Sequence, residues 1–364
     1  MGAKRTTRNE KSKSKGGARI LVIVLIMLII VAGVLFAMKI VKQNEDRDTG
    51  VATVNDNDEN EIQKEEVKTP KTFAGNTRPI AFMIDNNINA MPQAGLQQAD
   101  LIYEMIVEGG ETRLMIVMKD KDISKVGPLR SSRHNFLDYA LENDAIYVHY
   151  GWSPQARSDI SEMSVNNING IYESASSFWR DSSRYSPHNA VTSTANVLKI
   201  AQRKEYKTTT KKDTVLNYVV DEVNLENGKV ADSVTIPYSE NNTVKYTYDS
   251  ENKVYTRYSR GKKQTDWNNN KTVTTKNIII SFAKNTSIDS YGRQNIDNVK
   301  TLDGYYITNG KAIPIKCEKK SRRSQTIYKD LEGKEIDVND GKTFIQICPI
   351  NANVKIEANK TSNE

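Results

Sequence analysis

The most apolar stretch of the chain lies near its start. Residues 20–38 contain no charged side chain and are rich in Ile, Val and Leu. As a helix this stretch covers roughly 28 Å, about the thickness of the hydrocarbon layer of a bilayer. A cleaved signal peptide is the alternative, but its apolar region is shorter, and Ala37-Met38-Lys39 offers no small-residue cleavage site. The pattern predicts one transmembrane helix at 20–41.

Apolar runs alternate with amphipathic segments between residues 73 and 206, which is typical of an α/β arrangement. Residues 79–84 form a nearly continuous apolar run and predict a strand covered on both faces. Residues 101–107 and 112–118 predict a hairpin around Gly109-Gly110. Placing Val107 opposite Thr112 puts Glu104, Glu108, Glu111 and Arg113 on one face of this hairpin. That face is either a solvated, salt-bridged surface or the floor of a polar pocket.

Three helices are predicted in the same region, at 131–142, from Pro154 onward after a Ser153 cap, and at 193–202. Arg130 and Arg133 flank the first turn of the first helix, where free backbone N–H groups and two guanidinium groups form a candidate anion cradle. The strand at 145–150 ends beside the second helix. His149 therefore lies where α/β sheets usually hold ligands.

A polar run follows at 178–189 (FWRDSSRYSPHN) and is too rich in turn residues for a helix or strand. It contributes Arg180, Asp181, Arg184, His188 and Asn189. Loops of this content are often functional, although an ordered surface loop pinned by Trp179 explains it equally well.

Beyond about residue 206 the pattern is β-rich. Hairpins are predicted at 244–248 with 253–258, and at 305–308 with 311–315 across Asn309-Gly310. The predicted organisation is a basic tail (1–19), a membrane span (20–41), an acidic disordered linker (44–72), an α/β-type domain (73–206), a β-rich domain (207–352) and a polar tail (353–364).

The net charge of +7 is unevenly distributed. Residues 1–43 carry nine Lys or Arg and one acid, whereas residues 73–364 carry 39 basic and 35 acidic side chains. The positive-inside rule therefore predicts a cytoplasmic N-terminus and an extracytoplasmic remainder. Since the part after the span has no marked basic excess, nucleic-acid binding is not expected.

The sequence does not decide whether Cys317 and Cys348 form a disulfide or are two buried free thiols. The three histidines lack ligand-like spacing, so neither a metal nor another cofactor is expected. The chain also lacks a Gly-x-Ser-x-Gly elbow, a His-Glu-x-x-His motif and a P-loop. These absences favour binding over catalysis.

Several segments resemble the successive motifs of the YerB-like family of bacterial lipoproteins, a family with a domain of unknown function. The segments are 78–86 (RPIAFMIDN), 93–113 (QAGLQQADLIYEMIVEGGETR), 127–133 (GPLRSSR), 144–151 (DAIYVHYG) and 178–189, with looser similarity at 277–281, 326–330 and 341–347. The resemblance implies an extracytoplasmic, envelope-attached protein with an α+β fold: a layered sheet-and-helix domain followed by a β-rich domain. No cysteine lies next to the predicted span, so a membrane helix is expected to replace the acylated cysteine of a lipoprotein.

Three functions remain. The first is a membrane-tethered protein that binds an anionic envelope component or partner, such as a wall-polymer phosphate or a peptide carboxylate. The second is an envelope hydrolase or transferase with His149 or His188 as general base, oriented by Asp181 or Glu104. The third is a structural or adapter protein. The candidate ligand-binding residues are Glu104, Glu108, Arg113, Arg130, Arg133, His149, Arg180, Asp181, Arg184, His188 and Asn189, and no catalytic residue is assigned.

Overall fold

The computed structural model of the chain describes residues 69–359, in which strands greatly outnumber helices. The α-helices there are α1 (His134–Glu142), α2 (Pro154–Glu162) and α3 (Thr194–Arg203). The strands are β1 (Ile80–Asp85), β2 (Leu101–Ile106), β3 (Thr112–Met118), β4 (Ile146–His149), β5 (Asn167–Asn169), β6 (Trp179–Arg180), β7 (Ala190–Val191), β8 (Tyr218–Val219), β9 (Lys229–Val230), β10 (Ser233–Ser239), β11 (Asn242–Asp249), β12 (Val254–Ser259), β13 (Lys262–Lys263), β14 (Thr274–Thr275), β15 (Asn277–Ser287), β16 (Gln294–Asp297), β17 (Thr301–Thr308), β18 (Lys311–Glu318), β19 (Ile327–Lys329), β20 (Val338–Asn339), β21 (Thr343–Pro349) and β22 (Lys355–Glu357).

Across residues 69–359, no helix has both the length and the apolar character needed to cross a membrane. The predicted span at 20–41, the tail at 1–19 and most of the linker at 44–72 lie outside the described residues. The membrane span and the orientation of the N-terminus therefore stay predictions.

One large sheet joins the two halves of the described chain. Its main path follows the order β19-β18-β17-β15-β21-β2-β3-β1-β4-β5, with β16 added to β15 and β9 added to β18. Strand β21 lies parallel to both β15 and β2, so that Thr343 pairs with Asn277 on one side and with Leu101 on the other. The β-rich second half agrees with the sequence. The shared sheet was not predicted, because pairing between distant strands leaves no local pattern.

The large sheet is covered on both faces. One face packs against α3 and a six-stranded sheet of order β13-β12-β11-β10-β22, in which β14 also pairs with β12. The other face packs against α1 and α2. Neighbouring residues of β1 point to opposite faces. Phe82 lies in the core beside the six-stranded sheet and Met83 in the core beside α1 and α2, and both are fully buried. Two covered faces explain the continuous apolar run of this strand.

The predicted register of the β2–β3 hairpin is wrong by one residue. Ile106 pairs with Thr112, and the N–H of Val107 donates to the carbonyl of Glu111 at 2.7 Å. Only Glu108, Gly109 and Gly110 form the turn, and both glycines adopt positive φ angles of 67° and 74°. A shift of one residue sends each side chain to the opposite face of one strand relative to the other. Glu104 and Arg113 therefore lie on opposite faces of the sheet.

The first helix begins later than predicted, at His134 rather than at residue 131. The backbone of Ser132 pairs with the segment after β4 instead of forming a helical turn. Its N–H donates to the carbonyl of Gly151 at 2.9 Å, and its carbonyl accepts from the N–H of Ser153 at 3.1 Å. Arg133 is the N-cap residue but makes no side-chain capping bond. The other two helices start after Ser153 and Ser193, whose side chains accept from the backbone. The cap at Ser153 was predicted, whereas Ser193 was predicted as the first helical residue and is the N-cap instead.

Both predicted C-terminal hairpins are present. Strands β17 and β18 pair Thr308 with Lys311, and positive φ angles at Asn309 and Gly310 close the turn. The predicted polar tail at 353–364 is wrong in part, because Ile356 of β22 pairs with Val234 of β10 and is buried.

Candidate functional site

Two arginines contact one carboxylate, that of Glu108 in the turn before β3. Arg113 Nη2 lies 3.1 Å from Glu108 Oε1, and Arg133 Nε donates to Glu108 Oε2 at 2.9 Å while its Nη2 contacts Oε1. Arg113 also donates to the carbonyl of Ser131. The side chains of Arg113 and Arg133 are only 7% and 11% exposed. The contact between Arg113 and Glu108 follows the sequence prediction, whereas Glu104 is absent from it.

A second carboxylate, that of Asp85, contacts Arg130 and His188. Asp85, the last residue of β1, pairs in register with Arg113 of β3. Its Oδ2 lies 3.3 Å from Arg130 Nε and 2.8 Å from His188 Nδ1. The side chain of Asp85 is 5% exposed, that of Arg130 is 30% exposed, and that of His188 is 18% exposed. Asp85, Glu108, Arg113, Arg130, Arg133 and His188 are called the arginine cluster below.

The charges of the arginine cluster shift the pKa values of two of its groups. Burial raises the pKa of Glu108, but the hydrogen bonds from Arg133 and the charge of Arg113 outweigh it and lower this pKa to about 2. Burial and the nearby charge of Arg133 lower the pKa of Arg113 to about 9, with a smaller contribution from Arg130. The charges of Arg133 and Arg130 thus repel the nearly buried guanidinium of Arg113.

One part of the arginine cluster remains available. Among residues 69–359, neither Nη1 nor Nη2 of Arg130 has a hydrogen-bond partner, and the same holds for Nε2 of His188. Three arginines face two carboxylates, so the cluster carries one excess positive charge before His188 is counted. The arrangement can accept an anion between Arg130 and His188.

The polar loop at 178–189 carries His188 and is tied to the rest of the domain by its other charged residues. Strands β6 and β7 pair Trp179 with Val191 at its base. Arg180 donates to Asn189 Oδ1 at 3.0 Å and stacks on the ring of Tyr150. These contacts give the loop a defined position.

The middle of the loop is fixed in the same way. Asp181 pairs with Lys125 at 3.3 Å and accepts from Ser183, and the Ser183 bond is the main cause of its lowered pKa. Arg184 donates to the carbonyls of Ala90 and Pro92 at 2.6 Å, and its guanidinium lies 3.5 Å from the ring centroid of Trp267. Arg180, Asp181, Arg184 and Asn189 therefore position the loop, and the hypothesis that Asp181 orients His188 is wrong.

His149 lies apart from the arginine cluster and is fully buried. Its Nδ1 is 2.7 Å from the carbonyl of Gly151, and its Nε2 is 3.1 Å from Asn167 Oδ1. Burial lowers its pKa to about 4. With both ring nitrogens engaged, His149 cannot accept a proton from a substrate, so its candidate role as general base is wrong.

Glu104 belongs to a different, fully buried network. It faces the second sheet, where Arg257 of β12 donates to it at 2.6 Å with neither side chain exposed. Thr112 and Asn86 also donate to Glu104, at 2.8 and 3.2 Å. The prediction that Glu104 belongs to the candidate site is therefore wrong, and so is its predicted role as the partner of a catalytic histidine. Both errors follow from the one-residue error in the predicted register.

Sequence reasoning missed Asp85 and Arg257. Asp85 follows directly after the apolar run at 79–84, and an acid at the end of a buried strand is a usable signal. Arg257 left no such signal, because an arginine in an alternating strand is more often on the solvent face.

The cysteines are two free, buried thiols. Cys348 lies in the core between the two sheets, whereas Cys317 lies in the core beneath α1, on the other face of the large sheet. The disulfide alternative is therefore wrong. No group of three or more His, Cys, Asp or Glu side chains within residues 69–359 could hold a metal ion.

Fold and site together define a two-domain, β-rich protein whose halves share a sheet and whose basic cluster lies at the end of β1. Residues 67–207 match the family described as "Protein of unknown function (DUF3048) N-terminal domain", and residues 234–345 match the corresponding C-terminal domain. The chain belongs to this YerB-like family.

A curated relative and a solved structure carry the same name. The chain is 32% identical over 283 residues to "Putative lipoprotein YerB" of Bacillus subtilis (strain 168), covering 75% of this chain and 81% of that protein. The crystal structure of YerB protein from Bacillus subtilis superposes with a TM-score of 0.70 at 32% identity, covering 77% of this chain and 94% of that chain.

Proposed function

We propose that the protein is a membrane-anchored, extracytoplasmic binding protein that captures an anionic component of the cell envelope at the arginine cluster. The lipoprotein designation of the Bacillus subtilis relative and the apolar stretch at 20–38 support the location. In this chain a membrane helix at 20–41 would serve as the anchor, with the N-terminus in the cytoplasm.

The excess of guanidinium charge is the observation that carries the proposal. Arg113, Arg130 and Arg133 are held near each other by Glu108 and Asp85, and burial together with the repulsion from the other two arginines lowers the pKa of Arg113. An anion bound by the free Nη atoms of Arg130 would relieve this repulsion. Phosphate and carboxylate groups fit, because a guanidinium binds both through paired N–H donors.

A thermal-shift screen of the full chain tests the proposal. The anions are inorganic phosphate, a short poly(glycerol phosphate) and a dipeptide with a free carboxylate, each at constant ionic strength. An anion present at about 100 times its dissociation constant should stabilise the fold by roughly 2.7 kcal/mol. An Arg130→Gln/Arg133→Gln variant that responds like the unchanged chain would remove the proposal.

A second candidate function rests on the contact between His188 and Asp85. The 2.8 Å distance to Nδ1 orients the ring, and Nε2 is left without a partner among residues 69–359, as required of a general base. The chemistry that fits is hydrolysis of a phosphate ester held by Arg130. The assay is hydrolysis of bis(p-nitrophenyl) phosphate by the full chain and by His188→Gln, and a rate equal to buffer alone for the unchanged chain counts against catalysis.

A further inference from the structure

A separate cavity of about 290 Å³ opens beside α2 and the turn after β5. Its wall includes Trp152, Tyr172, Asn169 and Arg157. The volume suits one small ring rather than an extended ligand, since pockets for drug-sized molecules start at about 300 Å³. We propose that this cavity binds a single sugar ring.

Two aromatic rings supply the apolar wall. The ring centroids of Trp152 and Tyr172 are 5.8 Å apart at an interplanar angle of 50°, and Tyr172 is 70% exposed. The Trp152 ring is supported from below by the buried His149 ring, 5.6 Å away. A fixed, partly exposed aromatic surface is suited to the C–H face of a sugar, which is apolar while its edge is polar.

Asn169 supplies the polar group that points to a hydroxylated ligand. Its side-chain Oδ1 accepts from the N–H groups of Gly151 at 2.9 Å and Ile171 at 3.2 Å, which settles which atom is oxygen. Asn169 is only 6% exposed and lines the cavity, yet within residues 69–359 its Nδ2 donates to no protein atom. The Nδ2 atom keeps some accessible surface, so a ligand hydroxyl or carbonyl oxygen in the cavity can accept its hydrogen bond in place of water.

The charges at the rim disfavour a cationic ligand. Glu173 lines the cavity, but its side chain is 5% exposed and pairs with Arg203 and Lys204. Arg157 lies over the Trp152 ring, 5.7 Å from its centroid. A neutral ring with oxygen acceptors therefore fits better than an amine. An N-acetylated hexosamine offers both hydroxyl and amide carbonyl oxygens to Nδ2 of Asn169.

Saturation-transfer NMR with the full chain and N-acetylglucosamine or its trisaccharide tests the proposal, with tryptophan fluorescence for the dissociation constant. We expect transfer to the sugar ring protons. Asn169→Asp keeps both backbone contacts of Oδ1 but removes the amide donors, and it should weaken binding at least tenfold. Tyr172→Ala, at an exposed position outside both hydrophobic cores, should do the same.

Tyr291→Ala is the matched control, because Tyr291 is 76% exposed and does not line the cavity. It should bind the sugar like the unchanged chain. Absence of transfer at millimolar sugar, or equal binding by Tyr172→Ala and Tyr291→Ala, would overturn the proposal. Neither result bears on the arginine cluster, whose residues do not line this cavity.

Discussion

Glu104 Oε2 and Arg257 Nη2 lie 2.6 Å apart, and neither side chain has any exposed surface. Glu104 comes from the large sheet and Arg257 from the smaller sheet packed on it. Arg257 also donates to Gln264, which in turn donates to Gln93 at 2.7 Å. The two halves of the chain are thus joined by hydrogen bonds as well as by apolar packing.

Removing one partner of this pair should therefore destabilise the whole fold. Glu104→Ala leaves Arg257 charged and buried without its carboxylate, which costs about 3–5 kcal/mol in such pairs. Urea unfolding followed by circular dichroism measures the loss in free energy of unfolding.

A neighbouring pair gives the control for this experiment. Glu111 and Arg260 also join the two sheets, at 2.5 Å, but the Glu111 side chain is 36% exposed. Glu111→Ala should cost less than about 1 kcal/mol. Equal losses in the two variants would contradict the role given to the buried pair.

The thiols should be unreactive until the protein unfolds. Burial raises the pKa of Cys317 to about 12, and burial also raises the pKa of Cys348. Ellman's reagent should detect no thiol in the folded chain and two in denaturant, since the thiolate is the reactive form. Fewer than two thiols in denaturant without reductant would indicate a disulfide and contradict the placement of the cysteines in separate cores.

His149 should make the fold sensitive to mild acid. Its folded pKa of about 4 lies below the ordinary histidine value of 6.5, so the unfolded chain binds the proton more readily. Stability is therefore complete above the unfolded pKa and is lost as the pH falls toward the folded one. Between about pH 7.5 and about pH 4.5 this group should cost about 2–3 kcal/mol.

Comparison with His149→Gln isolates this contribution, because all other titrating groups are shared. The measurement is urea unfolding at both pH values. The unchanged chain should lose more stability than the variant over this interval, and parallel losses would show that His149 is not the acid-sensitive group.

Replacing Glu108 should lower the stability of the fold and raise its affinity for anions. Glu108→Gln removes the charge that Arg113 and Arg133 share, so the folded state should lose about 1–3 kcal/mol. The same change raises the net positive charge of the arginine cluster. Thermal unfolding with added phosphate should therefore raise the melting temperature of the variant more than that of the unchanged chain, and a smaller rise would contradict an anion site here.

Local patterns in the sequence predicted much of this structure. The helix cap at Ser153 and the Asn309-Gly310 turn are encoded by neighbouring residues, and both are present. The prediction of the β2–β3 register was wrong because turns of three and four residues have the same sequence signature here. That single residue decided whether Glu104 faced the candidate site or the interior.

Only part of the site could be predicted from the sequence. The 127–133 segment and the 178–189 loop were expected, and they supply Arg130, Arg133 and His188 to the arginine cluster. The strand end expected to hold ligands was that of 145–150, whereas the cluster lies at Asp85, the end of β1. The pairing of His188 with Asp85 joins residues 103 positions apart in the chain. Contacts of that separation depend on the assembled sheet, and no local pattern reports them.

Isothermal titration of the full chain with inorganic phosphate and then with a short poly(glycerol phosphate), at fixed ionic strength, tests the anion site most directly. The comparison is between Arg130→Gln and Arg293→Gln, since both remove one positive charge but Arg293 pairs with Asp289 outside the arginine cluster. The account predicts that Arg130→Gln weakens binding at least tenfold, about 1.4 kcal/mol, while Arg293→Gln binds like the unchanged chain. Equal affinity of the two variants, or no heat of binding in the unchanged chain, would contradict it.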